Sequence, residues 1–172
     1  RPAMNYRDAT TSKIYYRLQT NSDDGRALCG NFTNKYPGCV GMSSQSGAVS
    51  TVADKLLPDV DRFDLNFRIY WDGDLCEEIL NSQGTEKQAK IDKLGVGRIF
   101  LSTGDNMCNW TKNTPSAQGD ILGDWREEII MRKGDNMGIR IWTTNYPTCY
   151  RIPTLWHDHQ YRQAMVWQMC AY

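Results

Sequence analysis

The chain has 172 residues, 20 Lys and Arg balanced by 20 Asp and Glu, and 40% apolar residues. That is the size and apolar content of one ordinary globular domain, and the balanced charge lacks the basic footprint of a nucleic-acid or anionic-lipid binder. No apolar run approaches the length of a membrane span, and the N-terminal RPAMNYRDATT has neither the apolar core nor the flanks of a signal peptide.

In chain order, short β-rich runs alternate with turn clusters. SKIYYRL at 12–18 and FDLNFRIYW at 63–71 read as strands, as do RIFLS at 98–102, EEIIMR at 127–132, IRIWTT at 139–144 and AMVWQM at 164–169. Between them NSDDG, YPG, DGD and KGDN supply the tight and left-handed backbone positions of turns. Only TEKQAKIDKL, 85–94, has a helical pattern, and it reads equally as a loop between strands. The fold class is therefore all-β with antiparallel neighbours. The first residue is not Met and the last residues, VWQMCAY, sit inside a predicted strand, so the expectation is a segment of something longer.

An internal echo refines this. DGDLCEEIL at 72–80 matches LGDWREEII at 122–130, with Gly73-Asp74, Glu77-Glu78 and the next aliphatic pair repeated 50 residues later. A weaker copy without carboxylates, GNFTNKYPGCVGM, stands at 30–42. Repetition at this period is what the four-stranded blades of a β-propeller produce, and three blades do not close a ring.

Each strong copy places acidic residues at short intervals before a strand. Asp72, Asp74 and Glu78, and again Asp120, Asp124 and Glu128, offer the converging oxygen ligands that a hard cation such as Ca2+ requires. Adjacent strand residues face opposite ways, so only one Glu of each pair turns to the ion, and Glu127 faces away. The alternative is a solvated acidic turn. A catalytic acid pair fits less well, because the arrangement occurs twice.

Other residues leave two readings open. His157 and His159 would share a strand face, but zinc wants three or four ligands, and a hydrogen-bonded structural His is the simpler reading. The six cysteines are dispersed, their even number permits three disulfides without selecting a pairing, and core filling is the ordinary role of such residues. The sequons at Asn31 and Asn109 read as chance occurrences. Lys112 lies in a polar loop, where a Lys is ordinarily solvated, yet a Lys beside other cations can lose its proton and act as a base. Arg26 reads as surface and Tyr172 as a packed phenol unless they join such a site.

NFRIYWDGDL, NWTKNTPSAQGDILGDWREEII, IRIWTTNYPTCYRI and LWHDHQYRQAMVWQMCAY together resemble the C-terminal part of the family 11 polysaccharide lyases, the rhamnogalacturonan lyases, and GRALCGNFTNKYPGCVG resembles the region just upstream. The resemblance implies an eight-bladed, calcium-containing β-propeller of which residues 1–172 are a C-terminal segment, the remaining blades being needed to complete it. It implies β-elimination in rhamnogalacturonan I, a pectic polysaccharide, leaving an unsaturated galacturonate, and a secreted, periplasmic or cell-surface location. It also implies catalytic roles for Arg26, Lys112 and Tyr172, with Asn109, Trp110 and Thr111 in the substrate-binding element. Trp110 replaces a family Gly, Met169 replaces an Asn, and Asn31, Thr33 and Val40 stand where relatives often carry carboxylates. The competing expectation is a non-catalytic, calcium-stabilised β-repeat that binds acidic glycans.

Overall fold

The computed structural model describes residues 3–19, 21, 25–44, 46–50, 55–57, 64–83, 88–103, 106 and 115–170. Strands β1 (Ala3–Arg7) and β2 (Ile14–Gln19) form an antiparallel hairpin. Three antiparallel meanders follow. The first is β3 (Ala27–Gly30), β4 (Val40–Ser43), β5 (Ser46–Ser50) and β6 (Lys55–Leu56). The second is β7 (Phe67–Ile69), β8 (Glu78–Gln83), β9 (Gln88–Lys93) and β10 (Gly97–Leu101). The third is β11 (Ala117–Gly119), β12 (Glu128–Arg132) and β13 (Ile139–Trp142), and in each the strands lie side by side in chain order. The all-β expectation holds for these sheets.

Two apolar clusters join the meanders face to face. Phe32, Val40 and Met42 of the first meet Leu65, Ile79 and Leu94 of the second. On the other side Phe67, Ile69, Trp71, Leu80 and Ile91 meet Ile129 and Met131 of the third. The period-two alternation of strand side chains sends Ile79 into one cluster and its neighbour Leu80 into the other. Both are essentially inaccessible, at 0% and 1% exposure, so the second meander is covered on both faces. Phe100 stands between Trp71 and Trp142, with ring centroids 4.7 and 5.5 Å away. The outward face of β13 carries exposed Ile139 and Ile141.

Four expectations are corrected. Residues 88–93, read as helical turns or a loop, form β9, because Ile91 and Ala89 are drawn into the apolar cluster and both edges are paired. The run AMVWQM at 164–169, read as a strand, lies inside helix α1 (His159–Cys170). Asp158 caps that helix: its Oδ1 accepts from the Gln160 and Tyr161 amides at 2.6 and 3.1 Å. His157 and His159 accordingly sit in a 3-10 turn (Leu155–His157) and at the helix start, not on one strand face. Of the cysteines described in full, Cys76 is buried, whereas Cys29, Cys39 and Cys149 are exposed and do not fill the core.

Candidate functional site

The sequence echo is a repeat of interactions. Glu78 Oε2 accepts from the Trp71 and Asp72 amides at 2.9 and 3.3 Å, and 50 residues on Glu128 Oε2 accepts from Ile121 and Leu122 at 2.9 and 3.0 Å. Asp74 Oδ1 accepts from the Cys76 amide at 2.8 Å, and Asp124 Oδ1 from the Arg126 amide at 3.1 Å. Leu75 and Trp125 occupy matching left-handed positions, with φ of 70° and 73°. Bulky residues avoid that region unless the surroundings impose it. Here the carboxylates on either side tie down the turn.

Asp72, Asp74 and Glu78 bring one carboxylate oxygen each to within 4.8 Å of one another. This all-oxygen set fits a hard cation. Lys93, on the neighbouring strand, reaches into it: Nζ lies 2.5 Å from Asp74 Oδ2 and 3.4 Å from Glu78 Oε1, and it also pairs with Asp72. Burial works against the Lys93 charge, but the hydrogen bonds to Asp72 and Asp74 outweigh it and hold the ammonium above its ordinary value. For Glu78, burial dominates and pushes the carboxyl up to about 7.

Asp120, Asp124 and Glu128 do not converge in the same way. Asp124 pairs with Arg126. Asp120 is fully buried and its Oδ2 accepts from Thr154 Oγ1 at 2.6 Å and the Leu155 amide at 2.8 Å, so it anchors the 3-10 turn. Its Oδ1 has no hydrogen-bond partner among the described residues. Leu122 stands where the first copy has Asp72, which removes one carboxylate from the turn.

The first Glu of each pair turns the opposite way, as the alternation requires, and clasps the preceding meander. Glu77 Oε2 accepts from the Asn31 amide at 2.8 Å while the Glu77 amide donates to Asn31 O at 2.8 Å. Glu127 repeats this on Tyr70, at 2.9 and 2.7 Å. Glu77 also pairs with Arg68 at 2.9 Å, and the residue 50 positions after Arg68, Gln118, donates to Glu127 at 3.3 Å. Gly30 permits the first clasp, since a Cβ there would lie 2.2 Å from Glu77 Oε2.

These clasps form one wall of a cavity of about 910 Å3 opposite α1. Arg26, Arg68, Tyr70, Gln118, Glu127 and Tyr161 all line it. Arg26 lies beside the Phe67 ring, 5.7 Å from its centroid. Tyr161 crosses from α1: its hydroxyl donates to Glu127 Oε1 at 2.8 Å and accepts from the Asp120 amide at 2.8 Å. Burial pushes Glu127 up to about 7, against the hydrogen bonds from Tyr70, Tyr161 and Gln118. Burial also raises Tyr161, as does the Glu127 charge beside it. The wall thus presents guanidinium groups, a phenol and an amide, with a carboxyl that changes charge near neutrality.

Of the expected catalytic set, Arg26 is in this cavity. Lys112, Tyr172 and the binding element Asn109, Trp110 and Thr111 lie outside the described residues. Sequence reading did not single out Lys93, Arg68 or Gln118, and it offered Tyr161 only as a hydrogen-bond partner for the neighbouring His residues. Lys93 and Tyr161 come from elements whose type was misread. Arg68 and Gln118 share the echo's spacing, but they precede the acidic segment that made the echo visible.

The whole chain, residues 1–172, matches the model of the rhamnogalacturonan lyase family 11 C-terminal domain. It is 38% identical over 170 residues to the rhamnogalacturonan endolyase YesW of Bacillus subtilis (strain 168), covering 98% of this chain and 27% of that protein. It is 33% identical over 183 residues to the rhamnogalacturonan exolyase YesX of the same organism, covering 98% of this chain and 30% of that protein. The fold superposes on the crystal structure of rhamnogalacturonan lyase YesW with a TM-score of 0.81 at 35% identity, over 98% of this chain and 28% of that one. For the Bacillus licheniformis rhamnogalacturonan lyase PL11 the TM-score is 0.75 at 33% identity, over 96% and 28%. The chain therefore spans less than a third of the length of these relatives.

Proposed function

The chain belongs to rhamnogalacturonan lyase family 11, as its C-terminal domain, and on that premise we propose that it forms part of a polysaccharide lyase cleaving rhamnogalacturonan I by β-elimination. The observation that carries this reading is the cavity holding Arg26 at the start of the first meander, walled by the first strands of the meanders that follow. The meanders are then consecutive blades of a β-propeller completed by chain outside these residues. The protein works outside the cytoplasm, where its pectic substrate is found.

Elimination removes the C5 proton of galacturonate, alpha to a carboxylate that already carries charge. A cationic group must face that carboxylate as charge builds toward the enolate, and Arg26 has this role. Lys112 and Tyr172 divide the proton work. One takes the C5 proton; its electron pair becomes the C4–C5 double bond as the C4–O4 bond breaks. The other protonates the departing O4. Asn109, Trp110 and Thr111 hold the neighbouring sugars.

Asp72, Asp74 and Glu78 would hold Ca2+, which supplies fixed positive charge that ties the blade entry together. Lys93 already supplies one positive charge to the same three carboxylates. Asp120, Asp124 and Glu128 form the second candidate set. Its support is the buried Asp120 Oδ1, which has no hydrogen-bond partner among the described residues, and Arg126 would have to leave Asp124.

The test is the ultraviolet absorbance of the unsaturated uronate when the complete protein meets rhamnogalacturonan I, with Ca2+ or with chelator. Lys112→Ala is expected to abolish nearly all product. Undiminished turnover would remove Lys112 from the mechanism, and no product from the unaltered, calcium-replete protein would favour a glycan-binding module.

A further inference from the structure

Resting on the lyase reading, we propose that Arg68 is a specificity-determining residue that recognises a galacturonate carboxylate in the Arg26 cavity, with Gln118 accepting from a hydroxyl of the same chain.

Arg68 lies on β7, between two residues buried in the core, yet its own side chain is 48% exposed and lines the cavity. A guanidinium has five N–H donors in a fixed fork suited to a carboxylate. Among the described residues Glu77 is the polar partner of that side chain, through one guanidinium nitrogen, which leaves further donors on a residue that lines the cavity. Glu77 is itself tied on its other carboxylate oxygen, which accepts from the Asn31 amide. The ion pair therefore restrains the guanidinium before a ligand arrives, which lowers the ordering lost on binding.

Gln118 is the counterpart of Arg68 in the next repeat. Its Nε2 donates to Arg68 O at 2.6 Å and to Glu127 Oε2 at 3.3 Å. The residue is 3% exposed, and Oε1 has no hydrogen-bond partner among the described residues although the side chain lines the cavity. A buried acceptor left open is costly unless a ligand or water satisfies it. A sugar hydroxyl is the complementary donor. One repeat thus presents a cation and the next a neutral acceptor, a surface suited to a chain that carries both carboxylates and hydroxyls.

The test uses the complete protein and calorimetric titration with rhamnogalacturonan I oligosaccharides, in acid form and as the carboxyl methyl ester. The double variant Arg68→Gln with Glu77→Gln removes both charges together and keeps a neutral hydrogen-bonding pair, which protects the fold. It should weaken binding of the acid form about ten-fold and leave the ester unchanged, the loss expected for one charge-assisted contact. Arg68→Lys, which keeps the charge but not the fork, should lose part of the preference. An undiminished preference for the acid in either variant would overturn the assignment. Product formation by the unaltered protein is measured in parallel. Its absence would remove the lyase reading, whereas the preference for acid over ester reports on Arg68 directly.

Discussion

Glu127 and Tyr70 are 57 residues apart and exchange two hydrogen bonds: the Tyr70 amide donates to the Glu127 carboxylate at 2.9 Å and the Glu127 amide donates to the Tyr70 carbonyl at 2.7 Å. The same side chain accepts from Gln118 and Tyr161, so three donors from three elements meet on one buried group. Glu127→Ala should destabilise the protein by about 2 to 3 kcal/mol, because those donors lose a shared acceptor. Glu127→Gln should lose much less. Urea unfolding of both variants checks the order, and equal losses would mean that shape rather than acceptance matters there.

The Glu127 carboxyl also predicts a pH dependence. Its folded value, about 7, lies above the ordinary 4.5 because burial disfavours the charge. Its contribution is fully present below the unfolded value and is lost as pH rises through the folded one. Stability should therefore fall between pH 4.5 and pH 7 to 8 by at most about 3 kcal/mol from this group, read as a falling thermal midpoint. Glu127→Gln should flatten that portion of the profile. An unchanged slope would assign it to other groups.

Lys93 pairs with the same oxygens of Asp72, Asp74 and Glu78 that a divalent ion would need. Lys93→Met in chelator should destabilise on the order of 3 kcal/mol, since buried carboxylates lose their counter-charge. Added Ca2+ should restore most of this. The unaltered protein should gain less, because its ammonium must first be displaced. Calorimetric midpoints with and without Ca2+ read the comparison, and no Ca2+ response in the variant would rule out a metal at this turn.

Gly30 and Gly119 are both overlain by a side chain, with a Cβ placed 2.2 Å from Glu77 Oε2 and from Met165 Sδ respectively. Gly30→Ala meets a carboxylate pinned by Arg68 and Asn31 and should lose about 2 kcal/mol. Gly119→Ala meets a flexible thioether that can shift, so its loss should be smaller. Denaturant midpoints of the two variants test the ranking.

Local patterns in the chain carried the repeat well. The matched pairs Asp74 with Asp124 and Glu78 with Glu128 keep the same backbone partners 50 residues apart, because those bonds reach only two to seven positions. Strands such as β12 and β13 were equally legible from alternation. Helix α1 was not, since AMVWQM is too short an apolar run to separate strand from helix, and the capping Asp158 lies outside it. β9 was missed for a related reason: its Lys and Asp residues suggest a polar surface, yet Lys93 is drawn in by Asp72, Asp74 and Glu78, and the buried Asp92 pairs with Lys90 of the same strand. The Glu127 and Tyr70 contact leaves no local trace. Only the alternation rule, which turned Glu127 away from Glu128, hinted that it had a partner.

Ile79 and Leu80, adjacent on β8, serve two different apolar interiors. A repeat in that middle position cannot have a solvent side, so every residue along its central strands is answerable to one neighbour or the other. Lengthening such an array by duplication would demand a unit already apolar on both faces, whereas a unit at the end of the row is free to keep one polar face. A change to β8 would be felt in the first and third meanders alike.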